Sequence, residues 1–431
     1  MENILNKSKN IHFIGIGGIG VSAVAKMMIL EGKSISGSDM SDSQIIQELI
    51  KSGVKINIGH KKENLPKNTD LVIYTIAITD ENPELKEARN RGIRCITYPE
   101  ALHEISKDKY TIAISGTHGK TTTTAMIVKI LIDAELDPTV IVGSILKDLK
   151  SNFIAGESKY FVVEACEYRR SFLNINPSIV VVTNIDNDHL DYYKDLADIQ
   201  KAFGEFALKL PTNGHLIFDF NDKVVSEALN KSKCDKQDFS VNFSKIPELK
   251  VPGKHNIRNA SAALSVAKIL GIDEDLAKKS LAEFSGTWRR FEFKGKTKNS
   301  VKVYDDYAHH PTEVKASLSG AREKFKNQRI FVVFQPHLYS RTKLLLNDFA
   351  NAFENVDEVI LAPIYAAREP FDSSISSEIL AQKIKETGKT AKSFLNFNEI
   401  KDYLSENLKS GDILITMGAG DVFKIGESLL T

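Results

Sequence analysis

Cysteine is scarce. The 431 residues hold three, Cys95, Cys166 and Cys234. They lie far apart and form no C-x-x-C pair, which excludes the common cysteine zinc patterns and fits a reducing compartment. Long apolar runs are missing too: no stretch approaches the roughly 18 residues a membrane helix needs. The N-terminus, M-E-N-I-L-N-K-S-K-N, has no apolar signal core. A cytoplasmic location without membrane insertion is therefore expected. Neither sign of charge is in excess. A formal net charge of +1 argues against a polyanion-binding surface, and so against nucleic acid as the partner. The length fits two to four domains of about 100–200 residues each.

What is present centres on K-Y-T-I-A-I-S-G-T-H-G-K-T-T-T-T, starting at Lys109. Tyr110 to Ile114 reads as a short buried strand. Ser115 to Gly119 is a turn of small residues. Thr121 to Leu131 then carries apolar residues at helical spacing. Strand, glycine turn, Lys-Thr and helix together make a phosphate-binding loop. Backbone N–H groups and the positive helix N-terminus cradle phosphates, lysine adds a charge, and the threonine hydroxyl is placed to hold Mg²⁺. The general G-x-x-x-x-G-K-[ST] pattern would need glycine at position 114, which is Ile114. The compact form G-T-H-G-K-T remains: Gly116, Thr117, His118, Gly119, Lys120 and Thr121, with Thr122 next.

The chain opens with a second glycine loop. Ile11 to Ile14 is a strand, Gly15, Gly17 and Gly20 spell G-x-G-x-x-G, and a helix runs from Val21 to Leu30. A strand from Ser34 leads to Asp39, where a dinucleotide-type fold places an acid at a ribose. The pattern fits an NAD-dependent oxidoreductase, and equally a uridine nucleotide, because the loop requires only a pyrophosphate. Strands at Val54 to Ile58 and Leu71 to Thr75 continue a β-α-β alternation, so residues 1–107 read as a small parallel α/β domain.

After the phosphate loop, two strands end in acidic stations: Tyr160 to Val163 before Glu164, and Ile179 to Val182 before T-N-I-D-N-D-H-L-D, which contains His189. Ligands of open parallel sheets sit beyond such carboxyl ends. Lys120, Thr121, Glu164 and His189 are thus the expected nucleotide and metal stations. The Lys/Asp-rich piece from Ser232 to Asp238 reads as a surface turn. In P-G-K-H-N-I-R-N-A, Asn256 is placed to cap a helix. His255 and Asn259 either serve that cap or read a purine edge. From Trp288 onward, strands at Val301 to Tyr304 and Ile330 to Phe334, and in E-V-I-L and D-I-L-I-T-M, make a third α/β domain. Its strand ends hold D-D-Y-A-H-H-P-T-E and Q-P-H-L-Y-S-R-T. His309 and His310 are adjacent, and adjacent side chains point apart, so one of them is expected to pack rather than ligate.

Taken together, G-I-G-G-I-G, G-T-H-G-K-T-T-T-T, N-I-D-N-D-H-L-D-Y-Y, G-K-H-N-I-R-N-A, R-R-F-E, D-D-Y-A-H-H-P-T-E, Q-P-H-L-Y-S-R-T and G-A-G-D resemble the Mur ligases over the whole span from Ile11 to Val422. The resemblance implies three domains: a Rossmann-like uridine-nucleotide domain (1–107), a central P-loop ATPase-type parallel-sheet domain (108–286) and a Rossmann-like C-terminal α/β domain that brings the amino acid (287–431). It implies ATP and Mg²⁺ as cofactors, UDP-N-acetylmuramate and L-alanine as substrates, and an acyl-phosphate route to the amide. By resemblance, Lys120 contacts phosphates, Thr121 and Glu164 hold one Mg²⁺, and His189 helps with a second. His255 and Asn259 match adenine positions and Asp306 a ribose position. Tyr307, His309 and Arg341 match positions around the amino acid. Gly17, Gly18, Gly20, Asp39 and the stretch from Thr75 match the uridine side. A monomer or weak homodimer is expected.

Several positions depart from the family pattern. Leu338 stands where many relatives carry arginine, leaving Arg341 as the carboxylate anchor of that motif. Cys166 replaces the aspartate of E-A-D-E. The stretch from His189 to Gly253 is short. Gly204 stands where other Mur ligases place a carbamylated lysine, in keeping with the alanine-adding branch. The rival within the family is the ligase that recycles a tripeptide. A catalytically dead nucleotide-binding regulator is disfavoured by the presence of Lys120, Thr121, Glu164 and His189.

Overall fold

A computed structural model of the protein describes residues 3–146, 151–367 and 369–430. The chain divides into two compact units, Met1–Pro247 with Arg258–Glu283, and Glu248–Ile257 with Phe284–Thr431.

The first unit contains two sheets. Strands β1 (Asn10–Ile14), β2 (Ser34–Asp39), β3 (Lys55–Ile58), β4 (Leu71–Tyr74) and β5 (Arg94–Thr97) pair in parallel in the order β3-β2-β1-β4-β5. β1 is central and almost wholly buried, as expected for a strand covered on both faces. Strand order reverses there, which opens a crevice at its carboxyl end, where the glycine loop lies.

The second sheet has β6 (Tyr110–Ser115), β7 (Thr139–Leu146), β8 (Ser151–Ile154), β9 (Tyr160–Glu164), β10 (Ile179–Val182), β11 (His215–Phe218) and β12 (Asp235–Asp238), in the order β12-β11-β10-β6-β9-β7-β8. β6 sits at the reversal between β10 and β9, so the phosphate loop that follows it occupies the ligand crevice of this sheet. The sheet is not purely parallel. β8 runs antiparallel to β7 at the edge, and this hairpin docks the helix Ile19–Leu30. Asn152 Nδ2 donates to Ser22 Oγ at 3.0 Å, and Lys26 Nζ donates to Asn152 Oδ1 at 3.0 Å. The piece read as a surface turn contains a strand instead. D-K-Q-D pairs in parallel with β11. As an edge strand with little buried face, it lacks the apolar alternation that marks strands in a sequence.

The second unit carries β13 (Glu292–Lys296), β14 (Lys302–Asp306), β15 (Ile330–Phe334), β16 (Glu358–Leu361), β17 (Thr390–Ser393) and β18 (Ile413–Met417), ordered β13-β14-β18-β15-β16-β17. All pairs are parallel except β13 with β14. The helix Lys254–Ile269 starts two residues earlier than the expected cap at Asn256. Asn256 lies inside its first turn and donates to the Pro252 carbonyl at 2.7 Å. Among the described residues no helix is long and apolar enough to cross a membrane.

Candidate active site

The phosphate loop leaves β6 and enters the helix Lys120–Asp133 through Gly119, which adopts φ +84° and provides no side-chain cap. That conformation favours glycine. A Cβ at Gly119 would also lie 2.6 Å from Asn259 Oδ1, so the Asn259 amide sits directly against the loop. The N–H groups of the helix's first turn, which no intrahelical carbonyl can accept, point along the axis toward bound anions.

Residues after β10 hold the loop in shape. The His118 N–H donates to Asn184 Oδ1 at 2.9 Å, and the Asn184 amide returns a bond to the His118 carbonyl at 2.9 Å. The Thr117 N–H donates to the Asn184 carbonyl at 3.1 Å. His118 Nε2 lies 3.1 Å from Asp186 Oδ2. Thr121 and Thr122 are buried in the helix start.

Lys120 folds back over its own loop. Its Nζ donates to the carbonyls of Gly116 and Thr117, and to Glu167 at 2.9 and 3.1 Å. Burial alone would lower its pKa, but the carboxylates of Glu167 and Glu164 more than offset this and hold the ammonium above its ordinary range. Glu167 also faces His189, Nε2 to Oε1 3.9 Å. His189 has φ +54° and its ring packs on Tyr168 at 4.7 Å. Glu164 closes β9. A Cβ at position 143 would lie 2.6 Å from Glu164 Oε2, so Gly143 leaves the space this carboxylate fills. Hydroxyl and carboxylate oxygens, the donors that Thr121 and Glu164 carry, are the hard ligands Mg²⁺ prefers.

In the first sheet, the Gly17 N–H donates to Asp39 Oδ2 at 2.9 Å. Gly18 precedes the helix Ile19–Leu30, and Gly20 lies in its first turn. The Thr75 N–H donates to the Ile14 carbonyl at 3.1 Å, so Thr75 begins the turn beside the glycine loop. Glu84 underpins this crevice from below. Fully buried, it accepts from Ser38 Oγ at 2.7 Å and Asn64 Nδ2 at 2.8 Å, and lies 2.9 Å from His12 Nε2. The Ser38 carbonyl in turn holds the Gly15 and Ile16 N–H groups at 2.8 and 3.1 Å.

The second unit gathers Tyr307, His309, His337 and Arg341. The His309 ring lies 5.3 Å from Tyr307 and 5.7 Å from His337. Arg341 Nη1 is 3.1 Å from His337 Nδ1. Leu338 is buried and holds φ +70°, its N–H donating to the Tyr365 carbonyl at 2.9 Å. His310 caps the helix Pro311–Lys324, so the two adjacent histidines do part. Asp306 accepts from the Ala308 N–H at 3.0 Å and from Ser317 Oγ at 2.5 Å. Burial dominates those bonds and pushes its pKa up to about 6. His255 is pushed down to about 4, first by burial and further by Arg290, against the opposing pull of Glu313. Buried Arg289 ties three motifs together: its Nε bonds Asp305 at 2.6 Å, and its Nη2 and Nη1 reach the carbonyls of Gly418 and Gly420 at 2.6 and 3.0 Å.

Three family models match in succession: the Mur ligase family catalytic domain over residues 10–110, the Mur ligase middle domain over 114–248, and the Mur ligase glutamate ligase domain over 289–420. The chain is a Mur ligase. It is 45% identical to the UDP-N-acetylmuramate–L-alanine ligase of Clostridium botulinum (strain Okra / Type B1), covering 98% of both chains. It is likewise 45% identical to the ligase of that name from Clostridium novyi (strain NT), covering 99% of this chain and 98% of the relative. The crystal structure of the Thermotoga maritima UDP-N-acetylmuramate–alanine ligase superposes with a TM-score of 0.81 at 28% identity, covering 97% of this Mur ligase and 98% of that chain. A murein peptide ligase from Psychrobacter arcticus shares the fold, with a TM-score of 0.71 at 23% identity and 98% coverage of each chain.

The expected three-domain α/β architecture is therefore that of this Mur ligase. In its first unit, Gly17 meets Asp39, and the phosphate loop meets Asn259. Lys120 is linked to His189 through Glu167, a residue the sequence reading left without a role although E-A-C-E-Y contains it. The signal was available: two carboxylates three positions apart at a strand end. His337 went unassigned in the same way, inside Q-P-H-L-Y-S-R-T. In the second unit, Arg341 reaches His309 through that imidazole.

Proposed function

We propose that this Mur ligase joins L-alanine to UDP-N-acetylmuramate in peptidoglycan precursor synthesis, with ATP converted to ADP and phosphate. The observation that carries this reading is the 45% identity, over 98% of both chains, to a relative bearing that activity in its name. Retention of the lysine, threonine and acidic stations around the phosphate loop supports it.

In this reading the muramoyl carboxylate attacks the γ-phosphate to form an acyl phosphate, and the alanine amine displaces the phosphate through a tetrahedral intermediate. The first attack brings an anion toward a triphosphate, so charge neutralisation is the main task. Lys120 and the helix N-terminus bind the phosphates. Before ATP arrives, Glu167 keeps the Lys120 ammonium charged and oriented. Thr121 and Glu164 would hold Mg²⁺, with His189 assisting at a second ion; the metal, when bound, supplies further neutralisation of phosphate charge. Asn259 is assigned to the adenine. In the second unit, His255 is assigned to the base, Asp306 to the ribose, and Tyr307, His309 and Arg341 to the amino acid. Gly17, Gly18, Gly20, Asp39 and Thr75 are assigned to the uridine nucleotide. Domain limits at 107/108 and 286/287, a cytoplasmic location and a monomeric or weakly dimeric state complete the proposal.

The test is a phosphate-release screen of the twenty amino acids and of the stem tripeptide, with UDP-N-acetylmuramate, ATP and Mg²⁺. Release with alanine, dependent on both co-substrates, is expected. Release with the tripeptide but not with alanine would assign the recycling reaction instead.

A further inference from the structure

Two consecutive arginines follow Glu167, and both adopt left-handed backbone: Arg169 at φ +50° and Arg170 at φ +56°. Side chains with a Cβ rarely hold that conformation, and a pair in succession persists only where surrounding contacts enforce it. Arg170 supplies the enforcement. Its guanidinium bonds Asp198 at 2.7 Å and Glu205 at 2.5 Å, and lies over the Tyr193 ring. Phe172, two residues on, stacks on Phe206 at 4.6 Å. The segment is thus pinned to the helix Leu196–Ala207 on one side.

Arg169 is turned elsewhere. It is exposed, and its Nη1 donates to the Ile76 carbonyl at 3.1 Å. Its guanidinium lies 5.6 Å from the centre of the Tyr168 ring, which also packs on His189 and Tyr192. Among the described residues no carboxylate pairs with it. Ile76 directly follows Thr75, beside the first glycine loop, and Glu167 two residues back grips Lys120. Arg169 therefore stands between the crevice of the first sheet and the phosphate loop of the second, an unneutralised cation on a strained, pinned backbone.

Resting on the proposed function, we infer that Arg169 is a specificity residue that binds the lactyl carboxylate of the UDP-sugar. A molecule held at Gly15–Gly20 by its pyrophosphate must pass Arg169 to present its other end to Lys120. A guanidinium is suited to a planar carboxylate through two parallel bonds. UDP-N-acetylglucosamine has the same uridine, diphosphate and sugar but lacks that carboxylate, so Arg169 distinguishes the two.

The experiment is calorimetric titration of both UDP-sugars into the full-length wild type and into Arg169→Gly and Arg169→Lys. Glycine removes the guanidinium while accepting the left-handed backbone, so Arg169→Gly should unfold at a temperature no lower than the wild type. It should bind UDP-N-acetylmuramate about tenfold more weakly, about 1.4 kcal/mol, with UDP-N-acetylglucosamine unchanged. Arg169→Lys should recover part of the loss. An unchanged affinity for UDP-N-acetylmuramate would overturn the inference. So would equal weakening of both sugars, which would assign Arg169 to the diphosphate. Failure of the wild type itself to bind UDP-N-acetylmuramate would instead overturn the proposed function.

Discussion

Lys120 and Glu167 are ion-paired inside the phosphate loop, Nζ to Oε2 2.9 Å, with the carboxylate almost fully buried. The lysine of the proposed phosphate site thus carries a resident anion before any nucleotide binds. A buried charge that loses its partner is costly to the folded state, so this pair ties the stability of the free protein to the chemistry of its site.

Replacing Glu167 by glutamine should destabilise the ligand-free protein by about 1–3 kcal/mol, the cost of leaving a buried charged group without its partner. Saturating ATP with Mg²⁺ should restore most of the loss, because phosphate oxygens take over the carboxylate's place. Thermal unfolding with and without nucleotide measures this. A loss that nucleotide does not reduce would mean that Glu167 serves the fold alone.

Lys120→Ala should abolish ligation while UDP-N-acetylmuramate still binds. Gly17 and Asp39, the residues assigned to the uridine nucleotide, lie at another sheet, and loss of a charge that stabilises a phosphoryl transition state lowers kcat by roughly 10²–10³. Turnover near the wild-type rate would refute the ATP-site assignment.

The amino-acid site should depend on Arg341. His337 orients its guanidinium, and buried Leu338 offers no second charge in that motif. Charged hydrogen bonds of about 1.5–3 kcal/mol translate into a half-saturating alanine concentration raised roughly ten- to a hundredfold in Arg341→Ala, at ~1.4 kcal/mol per decade. The ATP and UDP-sugar constants should move little. Steady-state kinetics in all three substrates decide it; an equal shift for ATP would move Arg341 to the nucleotide.

Asp306 and His255 should give opposite pH dependences of stability. Asp306 has its folded pKa raised from 3.8 to about 6. Between those values the folded state holds the proton that the unfolded state has lost, so stability falls as pH rises. His255 has its folded pKa lowered from 6.5 to about 4. Over that window the unfolded state holds the extra proton, so stability rises with pH. Each effect amounts to at most about 3 kcal/mol, and between pH 4 and 6 they largely cancel. Asp306→Asn should therefore leave a protein that gains stability from pH 4 to 6, and His255→Gln one that loses it. Urea unfolding midpoints across that range test both, and parallel profiles for the two variants and the wild type would contradict the paired titration.

Much of this Mur ligase was determined by local sequence. The branched apolar run Ile330–Phe334 reads as a covered strand because both of its faces are apolar, whereas Ile11–Ile14 holds one polar member, His12, which is buried against Glu84. G-x-G-x-x-G and G-T-H-G-K-T place glycine where the backbone turns left-handed, at Gly15, Gly116 and Gly119, or where a side chain packs close, as Asp39 does at Gly17. Parallel strands joined by helices then put the loop residues at the carboxyl ends, so the placement of Lys120, Glu164 and His189 at strand ends was legible from order alone. The polar edge strand Asp235–Asp238 was not, since an edge needs no apolar face and leaves no periodic mark. Nor was the antiparallel hairpin of β7 and β8, whose partner in space is the helix Ile19–Leu30. Tertiary structure also decided which of two glutamates, three residues apart, reaches Lys120. It turned Arg169 and Arg170 to opposite sides, and it made His337 the link between Arg341 and His309. Those outcomes depend on distances between residues remote in the chain, and on burial that sets the charge of Asp306 and His255. Residue type and spacing encode neither.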